Sequence, residues 1–184
     1  LSGIKLPGVH NVENYMAAIA AVDGLVPDEI IRKFAAEFGG VEHRIELVRE
    51  LNGVRYYNDS IASSPSRTIA GLRSFDQKII LIAGGKDKGI PYDALGPEVN
   101  EHVKLLILCG ATAEVIRRAV ERAENYRKLE IAEVSDYQEA LSLAQSRAKE
   151  GDVVMLSPAS TSFDRFANFM ERGRVFKEIV NALK

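Results

Sequence analysis

Cysteine is nearly absent from this chain of 184 residues. The one thiol, Cys109, excludes an internal disulfide and fits a reducing compartment. It ends the apolar run Val103-Lys104-Leu105-Leu106-Ile107-Leu108-Cys109, where a buried strand residue is expected rather than a nucleophile. A large excess of either charge is missing too: 24 basic and 26 acidic residues leave a formal net charge of -2. There is no global basic field to draw nucleic acid or an anionic membrane, so neither is an expected partner. No apolar run approaches membrane-spanning length and no basic-then-apolar signal pattern opens the chain, so the expected location is the cytoplasm. No histidine and cysteine set has metal-ligand spacing, and no metal ligand is assigned. A G-x-x-x-x-G-K-[ST] phosphate loop is lacking, since Gly85-Lys86 is followed by Asp87 and has no upstream glycine. The absence of G-x-G-x-x-G counts against a dinucleotide enzyme. With 46% hydrophobic and 27% charged residues, what remains is an ordinary globular chain long enough for one full domain and an appendage.

The appendage comes first. Residues 11–22 place Tyr15, Met16, Ile19 and Ala20 on one helical face, and a second helix after Pro27 carries Ile30, Ile31, Phe34 and Phe38, stopped by Gly39-Gly40. Forty residues in two helices bury little on their own, so this segment is expected to pack on something else. After Gly40 the rhythm changes. Residues 44–48 and 54–57 read as strands joined through Asn52-Gly53, a strong hairpin signal. Further strands are expected at 78–83, 103–109, 129–134 and 152–156. They alternate with a short helix or loop at 92–100 and helices at 111–124, 136–149 and 171–183. The continuous runs Ile79-Ile80-Leu81-Ile82 and Leu105-Leu106-Ile107-Leu108 suit parallel strands covered on both faces. The fold class is α/β: a twisted, mostly parallel sheet with flanking helices and an antiparallel edge hairpin.

Ligands of open parallel sheets gather at the carboxyl ends of strands. Here those ends read Asn58-Asp59-Ser60, Gly84-Gly85-Lys86-Asp87-Lys88-Gly89, Cys109-Gly110-Ala111-Thr112 and Ser157-Pro158-Ala159-Ser160-Thr161-Ser162-Phe163-Asp164. The first runs on to Ser63, Ser64 and Pro65, where Ser64 can cap a helix whose first turn accepts Pro65. That elbow favours an anionic ligand. Gly84-Gly85 with Lys86 and Lys88 supports two readings equally, a tight turn with solvated lysines or a carboxylate or phosphate site. The hydroxyls of 157–162 are either a capped helix start with its aromatics in the core or an anion clamp closed by an aromatic wall. His43 fits a surface or packing role. Arg44 pairs by default with a surface carboxylate, yet a hinge arginine is well placed to reach a nucleotide phosphate.

Taken in order, Leu6-Pro7-Gly8-Val9-His10-Asn11-Val12-Glu13-Asn14, Glu42-His43-Arg44, Asn58-Asp59-Ser60, Gly84 through Gly89 and Leu156 through Asp164 resemble the motifs of the Mur ligases. The nearest in motif detail are members that add D-glutamate to UDP-N-acetylmuramoyl-L-alanine in peptidoglycan synthesis. The resemblance covers essentially the whole chain. It implies that residues 1–40 are the tail of a central ATP-binding domain and residues 41–184 a Rossmann-like C-terminal domain that binds the amino acid. It further implies amide formation through an acyl phosphate, using ATP and magnesium. The partners implied are ATP/ADP, D-glutamate, UDP-N-acetylmuramoyl-L-alanine and the remaining domains of the same polypeptide. Asn11 and Asn14 match asparagines near adenine, Arg44 a hinge arginine on the ATP phosphates, and Asp59 an acidic nucleotide contact. Ser63, Lys88, Ser162, Phe163 and Phe169 match the D-glutamate site. Ile61 stands where relatives often carry lysine, leaving Lys86 or Arg67 as the candidate cations to substitute for it. The phosphate loop, the magnesium carboxylate and the carbamylated lysine of the family have no counterpart here, so no catalytic residue is assigned and this chain alone is expected to be inactive. The alternatives are another amino-acid-adding member of folylpolyglutamate or cyanophycin type, and a stand-alone domain that binds a nucleotide or amino acid without catalysis.

Overall fold

A computed structural model describes residues 9–184, so the Leu6-Pro7-Gly8 part of the first motif lies outside the described residues. The chain divides into two compact units, Leu1–Val41 and Glu42–Lys184.

In the first unit, α1 (Val9–Val22) and α2 (Asp28–Glu37) enclose an apolar groove of about 430 Å³ lined by residues such as Tyr15, Ile19, Ile31 and Phe38. No residue of α2 is buried, and Phe34 and Ile30 stay 55% and 51% exposed. The helical periodicity is present but its apolar face has little to bury against within these residues.

The second unit is built on one six-stranded sheet, ordered β1-β2-β6-β3-β4-β5. β1 (Glu46–Leu51) pairs antiparallel with β2 (Val54–Asn58) through Asn52 and Gly53, both at positive φ, as the expected hairpin turn requires. β1 starts two residues later than the pattern suggested, because Ile45 adopts a left-handed φ of 44° and cannot join the ladder. The remaining pairs are parallel: β2 with β6 (Val153–Leu156), β6 with β3 (Ile79–Ala83), β3 with β4 (Val103–Leu108) and β4 with β5 (Glu130–Glu133).

Helices α3 (Pro65–Leu72), α4 (Leu95–His102) and α5 (Ala113–Glu121) cover one face over Leu81, Leu106, Leu108 and Met155. α6 (Tyr137–Arg147) and α7 (Phe169–Ala182) cover the other over Ile80, Ile82, Ile107 and Val154. Both start on capping boxes. Asp136 accepts from Glu139 N while the Glu139 carboxylate accepts from Ser135 N, and Asn168 and Glu171 do the same with Ala167 N. The Asn168 box places the start of α7 two residues before the expected position.

One helix contact is unusually close. A Cβ on Gly96 of α4 would lie 2.1 Å from the Ala119 carbonyl oxygen of α5. Helix propensity favours Gly96→Ala by about 1 kcal/mol, whereas overpacking costs about 1–3 kcal/mol and here strikes backbone. The expected outcome is a net loss of stability of about 1–2 kcal/mol, read from a urea melt of the variant.

Candidate functional site

The carboxyl ends of β2, β3 and β6 meet in one place. Arg172, on the inner face of α7, is 1% exposed and donates from Nε to Ser60 Oγ (3.0 Å), from Nη2 to Ser60 O (2.8 Å) and from Nη1 to Ser160 O (3.0 Å). Ser60 Oγ in turn donates to Phe169 O at 2.8 Å. The β3 loop joins through a small bridge in which Lys86 N donates to Thr161 O and Thr161 N to Lys86 O. Gly84 and Gly85, at φ 114° and 155°, let these loops interlock, since Cβ atoms there would lie 2.2 Å from Cys109 O and from Thr161 O. The glycines are therefore explained by backbone packing, while Lys86 and Lys88 beside them are exposed.

The hydroxyls of residues 157–162 fit neither sequence reading as it stands. Ser157 Oγ donates to Asp59 Oδ2 (2.7 Å), Ser160 Oγ lies 2.8 Å from both Tyr92 OH and Thr112 Oγ1, and Thr161 Oγ1 donates to Lys86 O (2.9 Å). Three of the four hydroxyls thus brace the loops from inside. Ser162 is buried as well, and Phe163 is 63% exposed rather than in the core. Ser64 occupies the N-cap of α3 with extended backbone, but its hydroxyl lies 3.3 Å from Ser66 Oγ and makes no cap hydrogen bond.

Asp59 is 3% exposed, with Oδ1 accepting from Ile45 N (3.3 Å) and Oδ2 from Ser157 Oγ. Burial pushes its carboxyl from 3.8 up to about 7, against the pull of Ser157, Ile45 N and the Arg44 and Arg67 charges. Arg44 itself is exposed between His43 and Ile45, both at positive φ. Arg44, Lys86 and Lys88 form no ion pair and no side-chain hydrogen bond among the described residues. Arg67 Nη1 donates to Ile61 O at 3.2 Å, which places a guanidinium over the loop where Ile61 stands. Ser63 is half-buried on the same loop, and Phe169, also half-buried, packs edge-on to the His43 ring at 6.0 Å. Asn11 and Asn14 lie on α1, the first buried and the second exposed.

His43 is better integrated than its sequence suggested. It is 4% exposed, its Nδ1 lies 2.9 Å from Asn58 Nδ2, and Gly173 leaves room for the ring, since a Cβ there would stand 2.3 Å from Nδ1. Burial lowers its pKa, with Glu42 and Glu46 pulling the other way. Among the described residues, the one set of ligand atoms close enough to hold a metal is Glu42, His43 and Glu46, and Lys177 Nζ already bridges the two carboxylates. Arg172 escaped sequence reasoning altogether. Its signal was a charge in phase with the apolar positions Phe176 and Val180 of an amphipathic helix.

The family model for the glutamate ligase domain of Mur ligases matches residues 43–160. The chain belongs to the Mur ligase family. It is 59% identical to the UDP-N-acetylmuramoylalanine–D-glutamate ligase of Ruminiclostridium cellulolyticum over 185 residues, covering 98% of this chain and 40% of that protein. The ligase of the same name from Acetivibrio thermocellus is also 59% identical, over all of this chain and 40% of its own length. This chain thus spans about two fifths of these Mur ligase relatives. Among solved structures, UDP-N-acetylmuramate-alanine ligase from Thermotoga maritima superposes with a TM-score of 0.71 at 18% identity, over 98% of this chain and 40% of that one. A folylpolyglutamate synthase from Mycobacterium tuberculosis superposes at 0.69 and 14% identity, over 96% and 41%. These two likenesses bear out the α/β fold.

Asp59 makes stability depend on pH. The folded carboxyl keeps its proton to about pH 7 while an unfolded one releases it near 3.8, so the folded state binds more protons in that window. Stability from this group is fully present below about pH 4, falls as pH rises to about 7 and stays low above, a cost of about 4 kcal/mol. Asp59→Asn removes the charge, and Ser157 Oγ can turn its proton to Thr68 Oγ1, 3.0 Å away. The variant is expected to be more stable than the parent at about pH 8, and this advantage should shrink steadily towards pH 4 in parallel urea titrations. An advantage unchanged with pH would show that Asp59 is not the titrating group.

Proposed function

We propose that this chain is the C-terminal part of an ATP-dependent ligase that joins D-glutamate to UDP-N-acetylmuramoyl-L-alanine in peptidoglycan synthesis, through an acyl-phosphate intermediate. The observation that carries this reading is a set of exposed cations without ion pairs, Arg44 just before β1 and Lys86 and Lys88 on the interlocked loop after β3, in a chain 59% identical to ligases of that name. Free cations on rigid backbone suit two anionic ligands, a nucleoside triphosphate and an amino-acid carboxylate. Arg44 serves the ATP phosphates, and Asn11 and Asn14 offer amide donors and acceptors to adenine. Asp59 stands on the nucleotide side and holds the Ile45 N–H, one residue beyond Arg44. Lys88 binds a D-glutamate carboxylate, with Ser63, Ser162, Phe163 and Phe169 around the same substrate. ATP brings the phosphoryl group that activates the acceptor carboxylate. Magnesium ligands are expected in the rest of the polypeptide, and the Glu42, His43 and Glu46 set is already bridged by Lys177.

The folylpolyglutamate type shares the fold, with TM-scores near that of the alanine ligase, so architecture does not choose between them. Identity to the D-glutamate ligases favours the reading above. In the full-length enzyme, Lys88→Ala is expected to raise the KM for D-glutamate by about 10–100-fold while the ATP KM stays within about twofold. D-glutamate should be accepted in preference to L-glutamate, meso-diaminopimelate and lysine. Equal effects on the two KM values would remove Lys88 from the amino-acid site, and turnover with another acceptor in place of D-glutamate would overturn the assignment.

A further inference from the structure

The carboxyl edge of the sheet opens a second time. β2, β3 and β4 feed helices on one face, whereas β5 and β6 feed helices on the other. In the observed strand order, neighbouring strands therefore diverge beside β6, where the site above lies, and again between β4 and β5. Beside this second divergence, on the α6/α7 face and across the carboxyl ends of β3 and β4, lies a cavity of about 300 Å³, at the small end of ligand pockets. Its walls are flat and apolar. Tyr137 and Phe166 stack at 5.8 Å and 12°, and Val175 and Ile179 of α7 face them with Cys109 at the end of β4.

The polar groups in this cavity differ in sign from those of the first crevice. Asp136 and Asp164 line it; Asp164 forms no hydrogen bond or ion pair among the described residues, and its charge acts on the buried Arg172. The Gln138 side chain is equally unengaged. Asp136 spends Oδ1 on Glu139 N. The one cation of the lining, Arg165, directs Nη1 at Ser135 O and at Cys109 Sγ, so part of its donor set is already used. By contrast Arg44, Arg67, Lys86 and Lys88 populate the loops of the site described above.

We propose that this cavity binds a small planar aromatic cation, an amine or amidine of about nucleobase size, with its ring against Tyr137 and Phe166 and its N–H edge on Asp164. An apolar slot fixes the plane of such a ligand, and an unpaired carboxylate at its rim selects N–H donors over anions. Neither requirement is met by ATP phosphates or by a dicarboxylate amino acid.

Benzamidine, benzamide and benzoate share one shape and differ in charge, so they test the idea directly on the whole chain. Titrations followed by amide NMR shifts are expected to show saturable benzamidine binding, with Kd on the order of 1 mM, at Gly84, Gly85, Cys109 and Gln138. Benzamide should bind more weakly, and benzoate should leave those amides unmoved. Asp164→Asn, a change at an exposed side chain, should weaken benzamidine about fivefold or more, and Val175→Trp should abolish binding by filling the slot. No saturable shifts, binding of benzoate equal to that of benzamidine, or an unchanged affinity in Asp164→Asn would each overturn the proposal. If Val175→Trp fails to fold, the charge series and Asp164→Asn still decide it.

Discussion

The Arg172 guanidinium is the interaction on which the candidate site depends. A charge so fully withdrawn from water is costly unless its donors are satisfied. Here they are spent on Ser60 Oγ, Ser60 O and Ser160 O, so one side chain fastens the ends of β2 and β6 to α7. Gly85 completes the arrangement, because its missing side chain leaves the space next to Nη1, which a Cβ would approach to 3.2 Å. The exposed Lys86 and Lys88 are carried on a loop whose backbone is held by these buried contacts.

How much of this was legible in the sequence follows from the range of the forces involved. The hairpin at Asn52-Gly53 and the continuous apolar strands are encoded by neighbouring residues, and each formed where local chemistry placed it. The cap of α7 at Asn168 is equally local, and Asn168 with Glu171 three residues on was there to be read. The hydroxyls of Ser157, Ser160 and Thr161 were harder, because a hydroxyl's partner is chosen by tertiary contact. Theirs lie far off in the chain, on Asp59, Tyr92, Thr112 and Lys86. Ile45 shows the same limit from another side. A β-branched residue at positive φ contradicts its own preference, and its N–H is held by Asp59 from the neighbouring strand end.

Asp59 and Arg172 are two buried ionisable side chains at the strand ends that do not pair with each other. Arg172 is satisfied by carbonyls and a hydroxyl, while Asp59 has one hydroxyl and one amide to offset its desolvation. The carboxylate is therefore the strained partner, and its charged form persists at a cost in fold stability.

The sheet order carries a consequence for how the molecule is made. Strands β2 and β3 are consecutive in the chain and joined through α3, yet they never touch, because β6 lies between them. Arg55 must wait for Val153 and Ile80 for Val154, both nearly at the end of the chain. Until β6 has been synthesised, β2 and the wholly apolar β3 present open edges, and the central pairings close loops of high sequence separation. Emergence from the ribosome therefore leaves a half-sheet with a slot in its middle, filled last by Val153-Val154-Met155-Leu156.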